Sequence, residues 1–578
     1  MRVVVPKAWG VLEPFHRPYL RFLAGVAARQ ILLIAGGYSL VLLLHKSIGS
    51  VPIWACIAVL LLYDSGLLGL DLRLNISFVQ RVSFPMFAYL RSITLGKVFE
   101  MPAEWLQRQQ TSALAGKINE AVGKVVQTVE GFGRELCPAL IRTLLVLVPL
   151  VYFSPWTIVF VICAAGMFAA ITAMESQRRQ PYRKARHQNY ARDFGMFSEC
   201  IENLQPVVHF GQTGRMLGEY RQLQQEIAGQ GIEDVRLATR YSARRNFLLS
   251  IAKRACQGIW IWQFRKGSLD GAMVMYLNAM LEDLFNSFSG YAGLIERVYD
   301  GLEPTRTLVT LLDERSSIRS NAVNLVEMPE AVGIEFQDVR FAYGNGPDIL
   351  HNFSLKIEPG TVLGIVGRSG IGKTTIQHVL SRMYDVQQGR IAISGTDIRE
   401  WPLEQLRGIF SSVSQNGGVF FSGMTILDTI RFARPDANFG QAIDAAKLAC
   451  IHDEIMRMPD GYFTKTGQRG STLSKGQQQR IALAQALLAF EDRKVLILDE
   501  FTSALDSQTE QEVLGNLMPL LKGKTVIIIA HRLATLRKIA DKIIVLDDTG
   551  IVEYGDHSEL LSRGGAYAQI ARLQATTV

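Results

Sequence analysis

Cysteine is scarce in this sequence, and none of it is paired. The six cysteines are Cys56, Cys137, Cys163, Cys200, Cys256 and Cys450, and no two form a Cys-x-x-Cys pair. That excludes the usual zinc and redox-dithiol signatures and a disulfide framework. Four of the six lie in apolar stretches and read as small hydrophobes. Residues 1–16, with Pro6, Glu13 and Pro14, lack a signal-peptide cleavage pattern. The net charge is +8, but the basic residues form no patch with aromatic or motif support, which excludes a nucleic-acid partner. Long apolar runs are absent after about Gly290. The 578 residues exceed one ordinary core, so the chain should divide into an apolar first part and a polar second part.

Six apolar segments stand before that point: Tyr19–Leu44, Val51–Leu70, Leu136–Phe153, Trp156–Met174, Phe247–Phe264, and a sixth from near Leu269. A helix needs about 20 apolar residues to cross the hydrocarbon, so the first, second and fourth fit comfortably and the others are short or polar. Very short gaps follow spans one, three and five. Long gaps rich in Lys and Arg follow spans two and four, including Arg91, Lys97, Lys117, Arg179, Arg183 and Arg245. Positive charge marks the cytoplasmic side, so both long gaps and both termini belong there. The gaps keep helical periodicity, which predicts helices running well beyond the bilayer. Charges also enter the spans: Lys253 and Arg254 in the fifth, Glu282 and Asp283 in the sixth. Counted from the outer turn near Gly267, both pairs lie about 20–25 Å deep at 1.5 Å rise per residue. Charges there need a partner or a wet cavity. An ion pair orienting the two spans is the favoured reading; a polar substrate cavity is the other.

Residues 315–333 read as a linker. From Ile334 strands and helices alternate, as in an α/β P-loop ATPase domain. The strand Val362–Val366 runs into Gly367, Arg368, Ser369, Gly370, Ile371, Gly372, Lys373 and Thr374, followed by Thr375. This spacing lets backbone N–H groups curl around phosphates at a helix N-terminus, with Lys373 on the β/γ-phosphates and Thr374 on Mg²⁺. A second strand, Val495–Leu498, ends in Asp499 and Glu500. It would deliver Asp499 to Mg²⁺ and Glu500 to the attacking water.

Between them stands Leu473-Ser474-Lys475-Gly476-Gln477, which resembles the signature L-S-G-G-Q of ABC transporters. Two long cytoplasmic hairpins between short outer turns are similar to the exporter-type membrane domain of that family. The resemblance implies a six-span membrane domain (1–314), a linker (315–333) and an ATP-binding domain (334–578). It implies short coupling helices near Trp105–Leu114 and Pro206–Thr213. It also assigns Tyr343 to adenine, Gln415 to Mg²⁺ sensing, Asp506 to the dimer interface and His531 to the γ-phosphate. Ser474, Gly476 and Gln477 would cap a nucleotide held by a second chain. Lys475 departs from the family Gly, and Gln468 stands where the family usually has Glu. ATP and Mg²⁺ are the implied cofactors. The implied partner is a second half-transporter, with a homodimer favoured over a heterodimer, in a bacterial inner membrane with the ATPase domain inside. The implied function is ATP-driven movement of an amphipathic peptide, lipid or drug, with export favoured. An exporter-fold importer of metal–siderophore complexes and an ATP-gated channel or regulator remain alternatives.

Overall fold

The computed structural model describes residues 4–47, 53–107, 111–314, 318, 326–344, 346–368, 370–415, 417–530 and 532–575. It separates into two compact units, residues 1–101 with 106–315, and residues 102–105 with 316–578.

The first unit is helical throughout its described residues. A short α1 (Val4–Val11) precedes α2 (His16–Ser47). Helix α3 (Ile53–Phe78) continues through a π-helical turn at Val79–Ser83 into α4 (Phe84–Phe99). The short α5 (Ala103–Gln107), whose first three residues belong to the second unit, precedes α6 (Thr111–Gly131). A second π turn at Phe132–Leu136 joins α6 to α7 (Cys137–Phe153). Helix α8 (Pro155–Glu202), the short α9 (Leu204–His209), α10 (Thr213–Arg265) and α11 (Gly271–Asp313) complete the unit. The described residues of the first five expected apolar segments fall in helical stretches, with Val51 and Pro52 outside the described residues. The helix of the sixth begins at Gly271 rather than Leu269, and the described parts of the long basic gaps are mostly extensions of the same helices. Among the described residues, Leu114–Phe153 and Pro155–Glu202 are long and apolar enough to cross a bilayer on length and composition alone.

Packing in this unit follows from a chain that is apolar on both the inner and outer faces of its helices. Val146, Leu150, Trp260, Leu277 and Leu281 are buried together. Leu62, Leu144, Val148, Trp156 and Ile162 are exposed, as suits side chains solvated by lipid. Ser154 alone separates α7 from α8, and Pro155 opens α8, where its missing N–H costs nothing.

The short helices differ in position from those expected. The first occupies Ala103–Gln107, not Trp105–Leu114, of which residues 108–110 lie outside the described residues. It starts early because Pro102 precedes it and accepts the Trp105 N–H at 3.0 Å. The second occupies Leu204–His209, not Pro206–Thr213. Asn203 leaves helical geometry and ends α8, so Pro206 sits inside the first turn rather than at its start, a place that tolerates proline. Gly211, at φ 63°, then closes the turn before α10.

The second unit holds two sheets. An antiparallel sheet runs β2-β1-β4-β5, from β1 (Ile334–Ala342), β2 (Asp348–Ile357), β4 (Gln388–Ile393) and β5 (Thr396–Asp397). The other runs β10-β9-β3-β8-β7-β6, from β3 (Val362–Gly367), β6 (Phe410–Val413), β7 (Val495–Asp499), β8 (Thr525–Ile529), β9 (Lys542–Asp547) and β10 (Gly550–Gly555). Strands β9, β3, β8, β7 and β6 are parallel, and β10 is antiparallel to β9. Every residue of β7 and β8 is buried, which explains why they read as unbroken apolar runs. Helix α12 (Lys373–Leu380) follows β3, and the helix Lys475–Phe490 packs its apolar face into the larger core. The end of the expected linker is ordered against this unit: the Val326 N–H donates to Gln405 Oε1 at 3.0 Å, and Val332 is buried.

Candidate functional site

Parallel strands present their C-terminal ends along one edge, where ligands of open α/β sheets bind. Strand β3 delivers the phosphate loop there, and β7, separated from it by β8, delivers Asp499 and Glu500. Gly372 has φ 101°, and a Cβ on it would lie 2.7 Å from Ile349 Cγ2. Only glycine can turn the chain there into α12. Lys373 is 6% exposed, and its Nζ donates to the carbonyls of Gly367 and Arg368 at 2.8 Å each. Burial pushes its ammonium below the ordinary lysine range, while Glu500 and Asp499 pull it back. The Thr374 hydroxyl donates to Asp499 Oδ2 at 3.0 Å, so two of the three residues expected at Mg²⁺, Thr374 and Asp499 but not Gln415, meet directly. Both are hard oxygen donors, suited to a small divalent ion that keeps part of its shell from phosphate and water.

Glu500 sits at φ 49°, a left-handed conformation that costs a non-glycine residue about 1–3 kcal/mol. Its backbone is held on both sides: its N–H donates to Ile529 O at 2.9 Å, and its carbonyl accepts from Gln479 Nε2 at 2.7 Å. Gln415 Nε2 reaches Glu500 Oε2 at 3.2 Å. Tyr343, just past β1, touches Thr375 through its hydroxyl at 3.2 Å. Lys373, Thr374, Thr375, Gln415, Asp499, Glu500 and Tyr343 are thus linked by direct contacts, with Gly367, Arg368, Gly370, Ile371 and Gly372 forming the loop between them. Ser369 and His531 lie outside the described residues.

Ser474 caps the helix Lys475–Phe490. Its hydroxyl accepts the Gln477 N–H at 3.2 Å while Gln477 Oε1 accepts the Ser474 N–H at 2.9 Å, a reciprocal capping box. Gln477 also donates to Glu454 Oε2 at 3.0 Å. Lys475 occupies an ordinary helical position, is exposed, and directs its Nζ to Gln478 Oε1 at 3.5 Å; a side chain meets no steric barrier there. Gly476 differs, since a Cβ would come within 3.1 Å of the Ala504 carbonyl. Asp506 caps the helix Ser507–Leu521, accepting the N–H groups of Gln508 and Thr509, and these bonds hold its carboxyl below the usual range.

Sequence reasoning passed over Gln479. Its Nε2 also donates to Ser503 Oγ at 2.9 Å, and its Oε1 accepts the Ala504 N–H at 2.9 Å. It therefore ties the signature helix to the segment after Glu500. The one available signal was its place in a run of three glutamines.

In the helical unit, Lys253 Nζ lies 2.9 Å from Glu282 Oε1, so the two spans do present these charges at one depth. Arg254 instead bonds Gln257 Oε1 on its own helix at 3.0 Å, and the Asp283 carbonyl accepts the Ser287 hydroxyl. Lys253 and Glu282 thus form an interhelical ion pair, while Arg254 bonds within its own helix.

Family comparison matches residues 73–282 to the ABC transporter transmembrane region and residues 350–503 to the ABC transporter family model. An ATP-dependent lipid A-core flippase of Vibrio parahaemolyticus is 31% identical over 504 residues, covering 85% of this chain and 84% of that protein. The chain belongs to the ABC transporter family. An uncharacterized ABC transporter ATP-binding protein of Bacillus subtilis, YknV, is 33% identical over 73% of the chain and 69% of its own length. With the lipid A-core flippase of Legionella pneumophila, identity is 43%, but the match spans only half of that relative's length. A bacterial Atm1-family ABC exporter with ATP bound shares the fold, with a TM-score of 0.87 at 24% identity over 98% of this chain and 99% of that one. The long helices and the two sheets therefore form an ABC exporter-type fold, and the chain is an integral membrane protein.

Proposed function

We propose that this chain is one half of an ATP-hydrolysing exporter that moves an amphipathic, lipid-like substrate across a bacterial inner membrane. The observation that carries the reading is the junction of Lys373, Thr374, Asp499, Glu500 and Gln415 at one sheet edge, in a chain whose other unit is a membrane domain. Lys373 and the loop amides hold the triphosphate. Thr374, Asp499 and Gln415 would hold Mg²⁺, which when bound neutralises charge on the β- and γ-phosphates. Glu500 orients and deprotonates the attacking water, and His531 contacts the γ-phosphate. Ser474, Gly476 and Gln477 are held by their own helix cap and Glu454, ready for a nucleotide bound by another chain. A dimer follows, and the retention of every catalytic residue type favours two identical chains.

The substrate class rests on relatives named as lipid A-core flippases. The test is reconstitution in proteoliposomes, with ATPase rate and lipid translocation measured across a panel of amphipathic lipids, peptides and drugs. Lipid-stimulated hydrolysis with movement away from the ATPase side is expected. Movement toward the ATPase side, or stimulation by a metal–siderophore complex alone, would replace the export reading with import.

A further inference from the structure

Tyr343 is held more firmly than an aromatic ring needs for contact alone. The backbone beside it is clamped: the Ala342 N–H donates to Gln387 Oε1 at 3.0 Å, and Gln387 Nε2 donates back to the Ala342 carbonyl at 2.8 Å. Its ring lies edge-on to Phe341 and Tyr384, with centroids 4.9 and 5.0 Å away. Its hydroxyl meets two side chains of one helix, His378 Nδ1 at 2.9 Å and Thr375 Oγ1 at 3.2 Å. Thr375 and His378 are three residues apart on α12 and so share a face. Thr375 directly follows Thr374 of the phosphate loop.

We propose that His378 is a positioning residue for nucleotide binding: it fastens the Tyr343 hydroxyl to α12, so that the aromatic contact for the base and the loop for the phosphates are set by one rigid element. The proposal rests on the reading of Tyr343 as the base-stacking aromatic. A tyrosine hydroxyl has one proton and can accept another. Either His378 donates to Tyr343 and Tyr343 to Thr375, or the chain of bonds runs the other way; both satisfy all three groups. Burial holds the His378 imidazole below its ordinary value, which keeps a neutral ring able to serve in either direction. Without the tie, the ring must be ordered at the expense of binding each time a nucleotide enters. His378 bonds Tyr343 and not the carboxylates Asp499 and Glu500 at the end of β7, so its effect belongs to affinity and not to turnover.

The test uses the full chain reconstituted in lipid, with KM for ATP, kcat and Tm measured for His378→Ala, His378→Asn, Tyr343→Phe, Tyr343→Ala and the double variant His378→Ala/Tyr343→Phe. His378→Ala and Tyr343→Phe should each raise KM about three- to tenfold, the scale of one hydrogen bond, with kcat within about twofold. The double variant should be no worse than either single one, because both cut the same tie. His378→Asn, whose amide can replace Nδ1, should recover most of the affinity. A parental KM for Tyr343→Phe overturns the proposal, as does a His378→Ala variant that loses Tm or kcat while keeping its KM. Tyr343→Ala separates the two levels. If it raises KM while His378→Ala does not, only the tie is wrong. If it leaves KM unchanged, the base-stacking reading falls and takes the tie with it.

Discussion

The two units handle charge in different ways. In the sheet-containing unit, the charges of the proposed nucleotide site are held locally: Lys373 and Glu500 by backbone groups, and Asp499 by the Thr374 hydroxyl. In the helical unit, charged groups are spent on each other. Arg179 is 4% exposed and bonds both Asp234 oxygens, at 2.7 and 3.0 Å, while also reaching Glu175 at 3.3 Å and Glu296 at 2.6 Å. Arg183 and Arg186 meet Asp300, and Arg245 meets Glu175. Four arginines and four carboxylates thus join α8, α10 and α11 just beyond the membrane-length stretches. Both sets are paired in this structure: the first is held largely by the backbone around it, whereas the second links three helices side chain to side chain.

The largest test of this contrast is Glu500→Gln. It should cut hydrolysis at least about a hundredfold, as loss of a general base does, while nucleotide binding persists and a closed dimer accumulates. Near-parental hydrolysis would remove Glu500 from the reaction. The matching test in the helical unit is Arg179→Leu. Breaking a buried pair by removing one partner costs about 3–5 kcal/mol, here by removing both close bonds to Asp234 and leaving Glu175 to Arg245 alone. A clear fall in Tm is expected, and any loss of ATPase rate should follow the loss of folded protein. If Tm is kept while substrate stimulation is lost, the cluster serves the substrate and the contrast fails.

A smaller effect is expected for Lys253 and Glu282, whose side chains are 26% and 56% exposed. Lys253→Met or Glu282→Gln should lower stability by less than Arg179→Leu does, and exchanging the two charges should restore it. Lost substrate stimulation with unchanged Tm would instead make this pair part of a translocation cavity. The smallest effect is expected for Lys475→Gly. Because Lys475 has helical geometry and points outward, ATPase activity should stay within a few-fold of the parent; a large gain would show that lysine impairs the signature and favour a dimer with a second, different chain.

Legibility divides along the same line. The phosphate loop, Asp499–Glu500 and the signature could be found in sequence because a phosphate needs consecutive amides, and a buried strand needs consecutive apolar residues before its acids. The long helices were legible from apolar length and basic gaps. The short helices were misplaced by several residues because proline is compatible with any position of a first turn, so Pro206 did not mark its start. The Lys253–Glu282 pair was legible only as a shared depth: rise per residue sets depth, but the rotation of two helices about their axes decides which of the neighbouring charges meet.

What the order of residues determined by itself was therefore local: the turn that wraps a phosphate, the strands that carry acids to an edge, and the lengths that reach across a bilayer. Each depends on a single stretch of chain no longer than about 20 residues. Only the tertiary structure decided which distant groups close on each other: Gln479 on Glu500, 21 residues away, Tyr343 on His378, 35 away, and Arg179 on Asp234, 55 away. Backbone periodicity says which face a side chain takes, but a hydrogen bond also demands about 3 Å and a direction, and those are set by how whole strands and helices pack.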